Sequence, residues 1–128
     1  MQKANPGMRV LMVEDNKDTL ATMAAVLRYE RYDLVTAMDG PSALEIAKVF
    51  LPEVVLLDIG LPGLDGYRVA RALRAQDPRR KLFIAAITGY GTAADKQHAA
   101  EAGIDAHLTK PADPTEVLRL LEEFRSKL

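Results

Sequence analysis

Five short apolar runs alternate along the chain with longer segments whose apolar residues recur at helical spacing. In the first long segment, Leu20, Met23 and Leu27 follow the i, i+3, i+7 pattern of a helix that buries one face. Short strands separated by amphipathic helices are typical of a parallel sheet with helices on both faces. We therefore predict one doubly wound α/β domain of five strand–helix units. The predicted strands cover residues 9–13, 33–37, 54–57, 82–87 and 105–108.

Capping residues support this division into helices. The last segment begins with Asp113-Pro114-Thr115-Glu116, which has the residue types of a capping box with proline at the first helical position. Asp39 and Asp65 are the predicted caps of the second and third helices. Thr92 is the predicted start of the fourth helix, which is rich in alanine, shows little apolar contrast and is predicted to end near Gly103.

The composition limits the classes of function that need to be considered. The 128 residues suffice for one domain, and we expect residues 1–7 to be a loose segment ahead of a domain at 8–128. The net charge of −1 gives no reason to expect nucleic-acid or membrane partners. The absence of cysteine excludes disulfides and thiolate zinc sites. With no secretion signal or membrane span in the pattern, we expect a cytoplasmic protein.

Polar side chains follow four of the predicted strands, at the point where each strand ends. Glu14 and Asp15 follow the first strand, and Asp58 follows the third. Thr88 and Lys110 end the fourth and fifth. Carboxyl ends of parallel strands meet at one edge of the sheet, where ligands bind. Three neighbouring carboxylates repel one another, so either their pKa values rise or a cation joins them, and Mg²⁺ best suits oxygen ligands beside a phosphate.

The chain resembles the receiver domains of two-component response regulators, and receivers of hybrid sensor kinases in particular. The resemblance rests on the acidic pair Glu14-Asp15, the segment LLDIGLPGLDGY, the threonine in AITGYG and the Lys-Pro of HLTKP. It extends from about residue 9 to about residue 127. It implies a flavodoxin-like strand order of 2-1-3-4-5. It also implies signalling by phosphorelay, with a histidine kinase or a histidine phosphotransfer protein as the partner.

The resemblance also assigns roles to the residues at the strand ends. Asp58 is implied as the phosphoacceptor, with Lys110 and Thr88 holding the phosphoryl oxygens. Mg²⁺ is implied as the cofactor, held by Asp15, Asp58 and the backbone carbonyl of Gly60, with Glu14 acting directly or through water. On this reading the chain is not an enzyme. It promotes its own phosphorylation and a slow dephosphorylation.

Conformational output is expected at the face formed by the fourth helix, the fifth strand and the fifth helix. The implied switch residues are Thr88 and His107, and histidine replaces the tyrosine or phenylalanine that is usual at the second position. Lys110-Pro111 corresponds to the cis peptide of the family. Gly60 and Tyr90 occupy the positions that affect the lifetime of the phosphorylated state, and we expect slow hydrolysis. The expected oligomeric state is a monomer or a weak dimer.

Other interpretations of the same residues remain open. Asp58 alone could be a turn carboxylate, and Glu14-Asp15 could be an acidic cap on the first helix. One rival function is a Mg²⁺-dependent phosphohydrolase that forms an aspartyl phosphate, which would typically need an acid at the position of Gly60. A second is an interaction module with this fold that is never phosphorylated. Flavin binding is a third, and it lacks a phosphate loop after the first strand.

Overall fold

The structure is a computed structural model, and it describes residues 7–61, 65–77, 81–89 and 93–128, without the side chains of residues 93–96. The described residues form five strands that alternate with five helices. The strands are β1 (Arg9–Val13), β2 (Asp33–Ala37), β3 (Val54–Asp58), β4 (Phe83–Thr88) and β5 (Ala106–Thr109). The helices are α1 (Lys17–Tyr29), α2 (Gly40–Phe50), α3 (Gly66–Ala75), α4 (Ala93–Glu101) and α5 (Pro114–Ser126).

All four strand pairings are parallel, and the sheet has the order β2-β1-β3-β4-β5. The predicted α/β class and the strand order are therefore confirmed. The register places Asp58 opposite Ile87, and Thr88 opposite Thr109. The last residues of β3, β4 and β5 thus lie at one edge of the sheet, as the sequence pattern indicated.

Two hydrophobic cores lie on the two faces of the sheet. Leu11 and Leu57 pack in a core with α2, α3 and α4, whereas Met12 and Leu56 pack in a core with α1 and α5. The side chains of β1 and β3 are almost all fully buried because helices cover both faces of these central strands. This explains why the two strands are continuous apolar runs rather than alternating ones.

Helix starts follow the predicted caps wherever the structure describes them. The side chains of Asp39 and Asp65 accept hydrogen bonds from backbone N–H groups in the first turns of α2 and α3, at 2.8 Å and 3.0 Å. The Asp113 carboxylate accepts from the N–H of Thr115 at 2.9 Å, one residue earlier than the capping box predicts. These bonds use N–H groups that have no partner inside the helix.

Three strands have boundaries that differ from the prediction by one residue. Strand β3 includes Asp58, β4 runs from Phe83 to Thr88, and β5 runs from Ala106 to Thr109 rather than over residues 105–108. Arg74 of α3 lies against the starts of β4 and β5, because its guanidinium donates to the Leu82 carbonyl oxygen and to the Asp105 carboxylate. These two residues therefore bond to a helix just before their strands begin.

Some predicted features lie outside the described residues. They are the first six residues of the predicted loose segment, Tyr90, and the helix start at Thr92. Within the described part of the chain, no helix has both the length and the apolar character needed to span a membrane.

Candidate functional site

A cleft of about 650 Å³ opens at the carboxyl-terminal edge of the sheet, between the start of α1 and the segment that joins β5 to α5. One side is polar and carries the acidic residues predicted from the sequence together with Lys110. The other side is apolar and includes Met12, Met23 and Ile87. The cleft therefore combines a charged end with an apolar wall.

Asp58 lies at the bottom of this cleft and is only 1% exposed. Its Oδ1 atom accepts two hydrogen bonds, one from the backbone N–H of Gly60 at 2.9 Å and one from the Lys110 ammonium at 2.9 Å. A buried carboxylate needs such partners because the loss of hydration is costly. Both donors act on the same oxygen, and together they fix the orientation of the carboxylate.

Glu14 and Asp15 place two more carboxylates beside Asp58. Oxygen atoms of the three side chains lie within 4.8 Å of one another. Glu14 is 5% exposed, and its Oε2 accepts the backbone N–H of Asn16 at 3.0 Å, whereas Asp15 is exposed. Burial raises the pKa of Glu14, the Asn16 N–H opposes that rise, and the negative charge of Asp58 adds to it. The acids therefore form a crowded anionic cluster.

Lys110 is the cation that the described residues place in this cluster. The hydrogen bond to Asp58 raises the pKa of Lys110 and outweighs the opposing effect of its partial burial. The backbone N–H of Lys110 donates to the Thr88 carbonyl oxygen at 2.8 Å, which joins the ends of β4 and β5. The Lys110–Pro111 peptide bond is cis, the geometry that the resemblance implied.

The described cleft does not bring every predicted residue together. Glu14, Asp15, Asp58, Gly60 and Lys110 line it. The two predicted switch residues are not among the lining residues. Thr88 is buried at the end of β4, one residue after the cleft-lining isoleucine of that strand, and His107 is exposed on β5. The structure thus groups the acids with the lysine, and it leaves the switch roles as predictions.

The donor set fits a hard divalent cation. All three acidic side chains offer carboxylate oxygens, and the exposed position of Asp15 leaves room for water. Magnesium is typically held by a few carboxylates with several retained waters, and calcium takes more protein ligands. The acidic cluster is therefore compatible with Mg²⁺.

Two contributors to the site were not assigned a role from the sequence. Asn16 donates its backbone N–H to Glu14, and its side chain also caps α1 by accepting the N–H of Thr19 at 2.9 Å. An asparagine just before a helical pattern is a recognisable helix cap, so the capping role could be predicted from the sequence. The hydrogen bond to Glu14 could not. Met23 belongs to the apolar stripe of α1, which predicts burial but not a cleft wall.

Comparisons with known proteins agree with this geometry. Residues 10–122 match the family model for the response regulator receiver domain. The response regulator PleD of Caulobacter vibrioides is 38% identical over 105 residues, which are 82% of this chain and 23% of PleD. The chain thus spans less than a quarter of the length of that relative.

Two similar solved structures contain a bound magnesium ion or a bound partner protein. The receiver domain of the sensor histidine kinase PA1611 from Pseudomonas aeruginosa, with a magnesium ion coordinated in its active site cleft, is similar at 33% identity. The TM-score is 0.82, over 92% of this chain and 97% of that one. The receiver domain of Ssk1 from Saccharomyces cerevisiae, in complex with the histidine phosphotransfer protein Ypd1, is 26% identical. Its TM-score is 0.86, over 95% of this chain and 91% of that one. The chain belongs to the family of response regulator receiver domains, which act in two-component signalling.

Proposed function

We propose that Asp58 accepts a phosphoryl group from a phosphohistidine on a histidine kinase or a histidine phosphotransfer protein, in a Mg²⁺-dependent reaction. The observation that carries this proposal is the pairing of buried Asp58 with Lys110 beside the carboxylates of Glu14 and Asp15. A turn carboxylate would need neither the lysine nor two further acids. The Ssk1 complex with a phosphotransfer protein supports the partner class, and the similarity to the PA1611 receiver supports the hybrid-kinase type.

In the proposed reaction, a carboxylate oxygen of Asp58 forms a bond to phosphorus while the bond from phosphorus to the histidine nitrogen breaks. The electron pair of the broken bond stays on the departing imidazole, and Asp58 becomes an acyl phosphate. Asp15, Asp58 and the Gly60 carbonyl would hold Mg²⁺, with Glu14 acting directly or through water. When bound, the ion screens the repulsion between the acids and the incoming phosphoryl group.

The protein's own contribution is positioning and electrostatic stabilisation. The Gly60 N–H and the Lys110 ammonium hold Oδ1 of Asp58 in place. Once the phosphoryl group arrives, Lys110 is close enough to pair with a phosphoryl oxygen, and the Thr88 hydroxyl is the second proposed donor. Movement of Thr88 and His107 would then alter the face formed by α4, β5 and α5. A cytoplasmic location is part of this proposal, because such phosphohistidines are made from ATP.

Slow loss of the phosphoryl group is also part of the proposal. A Cβ atom added at Gly60 would lie 3.6 Å from Oδ1 of Asp58 and 3.7 Å from Nζ of Lys110. A side chain at this position would therefore reach the phosphoryl group and could orient water, whereas glycine cannot. The same absence of an acid argues against the rival phosphohydrolase, which would typically use that position for acid–base chemistry.

The test is incubation with acetyl phosphate and Mg²⁺, followed by the intact mass of the protein. We expect the gain of one phosphoryl group, which is lost in Asp58→Asn and in the presence of EDTA. Asp65→Asn is a matched control, because Asp65 is an exposed helix cap outside the cleft, and it should still be phosphorylated. After removal of acetyl phosphate, we expect a half-life well above seconds. Unmodified protein under these conditions, or equal labelling of Asp58→Asn, would contradict the proposal.

A further inference from the structure

The described side chains of helix α4 provide little apolar anchoring. Among residues 97–101, the part of α4 whose side chains are described, Ala99 is the buried one. Helix α3, by comparison, buries Val69, Ala70 and Leu73 on the same face of the sheet. A single alanine contributes little burial free energy. The position of α4 must therefore depend on contacts other than those of its described apolar side chains.

The carboxyl-terminal end of α4 is held by Arg74 of α3. The Nε and Nη2 atoms of Arg74 donate to the Gly103 carbonyl oxygen at 2.9 Å and 2.6 Å. Gly103 has a φ of +86°, and an added Cβ would lie 3.0 Å from Cγ of Arg74. The arginine stem therefore packs directly on this glycine. Because the same guanidinium also binds the segments before β4 and β5, it fixes this end of α4 to the frame of the domain.

A second contact joins α3 and α4 closer to the functional site. The rings of Tyr67 and His98 lie 6.0 Å apart between centroids, with an interplanar angle of 77°. This edge-to-face arrangement is a favourable geometry for an aromatic pair. Tyr67 and Arg74 are seven residues apart, which is two helical turns, so both project from one face of α3. That face contacts α4 at His98 and the residue Gly103 just beyond it.

Tyr67 is also closely linked to the strand that carries Asp58. The preceding residue, Gly66, donates its backbone N–H to the Ile59 carbonyl oxygen at 3.3 Å. A Cβ atom on Gly66 would lie only 2.6 Å from Cα of Ile59, so the start of α3 packs against the end of β3 without room for a side chain. A displacement of the backbone at Asp58 and Ile59 would therefore be passed to the start of α3, from which Tyr67 projects.

We propose that the Tyr67–His98 contact is a second mechanical link between Asp58 and α4, separate from Thr88 and His107. In this arrangement Arg74 fixes one end of α4, and His98 is the positioning residue that holds the helix against α3. The contact stabilises the position of α4 in the unphosphorylated protein, and a shift at the end of β3 weakens it. Only the response to phosphorylation rests on the proposed function. An aromatic pair of this kind is worth roughly a 2- to 10-fold change in an equilibrium constant.

The first test uses unphosphorylated protein and amide hydrogen exchange in α4. His98→Ala should raise the exchange of α4 amides by roughly 2- to 10-fold, because local opening becomes easier. His98→Phe restores an aromatic ring and should return exchange close to the wild-type rate. Gln97→Ala is the matched control, since Gln97 is the exposed neighbour of His98 on the same helix. Unchanged exchange in His98→Ala, or an equal increase in Gln97→Ala, would overturn the proposal.

The second test compares α4 exchange before and after treatment with acetyl phosphate and Mg²⁺, with intact mass measured on the same samples. In the wild type, phosphorylation should change α4 exchange, and in His98→Ala the change should be at least halved. Full phosphorylation with the same change in both proteins would overturn the second link. If no phosphoryl group is added, the proposed function fails, and the first test still decides whether His98 holds α4.

Discussion

The two rims of the sheet carry similar charged residues but use them in opposite ways. At the amino-terminal rim, Arg74 donates to the Asp105 carboxylate, and Glu53 accepts the backbone N–H of Arg9 at 2.9 Å. Both of these acids have a donor within the described part of the chain. At the carboxyl-terminal rim, Glu14, Asp15 and Asp58 form a cluster in which Lys110 is the cation that the described residues supply. The acids of these two pairs thus have donors of their own, whereas the carboxyl-terminal cluster has an excess of negative charge among the described residues.

This difference separates structural charge from functional charge within one domain. A paired charge closes the space between elements and stabilises the fold when its partners are well placed. An acidic cluster without enough cations destabilises the fold, and it remains useful only if a ligand offsets the repulsion. Substitutions at the amino-terminal rim should therefore change stability, and substitutions at the carboxyl-terminal rim should change the response to Mg²⁺.

The largest expected effect is that of Arg74→Ala. The variant should lose about 2 to 3 kcal/mol of unfolding free energy, because the Leu82 and Gly103 carbonyls and the Asp105 carboxylate lose a common donor. Urea unfolding measures this loss. Arg71→Ala is the matched control on the exposed face of the same helix, and it should change stability by less than about 0.5 kcal/mol. Equal losses in the two variants would remove the distinction between a rim arginine and a surface arginine.

A smaller effect is expected at Tyr32, which lies just before β2 at the same rim. Its hydroxyl donates to the Glu122 carboxylate of α5, and Tyr32→Phe should cost about 1 kcal/mol in urea unfolding. Burial, reinforced by the bond to Glu122, raises the pKa of Tyr32 above its usual value near 10. The folded state thus keeps the proton longer than the unfolded state. This stabilisation is complete below pH 10 and is lost as the pH rises through the folded pKa.

The comparison for Tyr32 is the pH dependence of stability in the two proteins. Between pH 8 and pH 11, the wild type should lose more unfolding free energy than Tyr32→Phe, because the variant lacks the phenol group at position 32. Parallel pH profiles would show that the Tyr32–Glu122 bond does not stabilise the folded state.

Local sequence signals predicted most of the fold and the acidic half of the site. Strands β1 and β2 match their predicted bounds, and the caps at Asp39 and Asp65 were visible because capping depends on residues within one turn. Glu14, Asp15 and Asp58 could be grouped because parallel strands deliver their carboxyl ends to one edge. The period of the apolar pattern and the residue types at strand ends carry this information.

Long-range side-chain contacts were not predictable in the same way. Nothing in the sequence near Arg74 indicates that its guanidinium reaches Gly103, 29 residues further along the chain. His98 is an exposed residue of α4, and its edge contact with Tyr67 depends on how two helices pack. Such contacts depend on interhelical geometry, which a local pattern does not encode.

The most direct test of the difference between the rims is the effect of Mg²⁺ on unfolding free energy in wild type and Asp15→Asn. Urea unfolding would be followed at increasing MgCl₂, with NaCl at matched ionic strength as the reference. The wild type should gain about 0.8 kcal/mol at a magnesium concentration three times its Kd, and Asp15→Asn should gain far less under the same conditions. Equal gains in both proteins, or no gain in the wild type beyond that in NaCl, would contradict a magnesium site at the carboxyl-terminal rim.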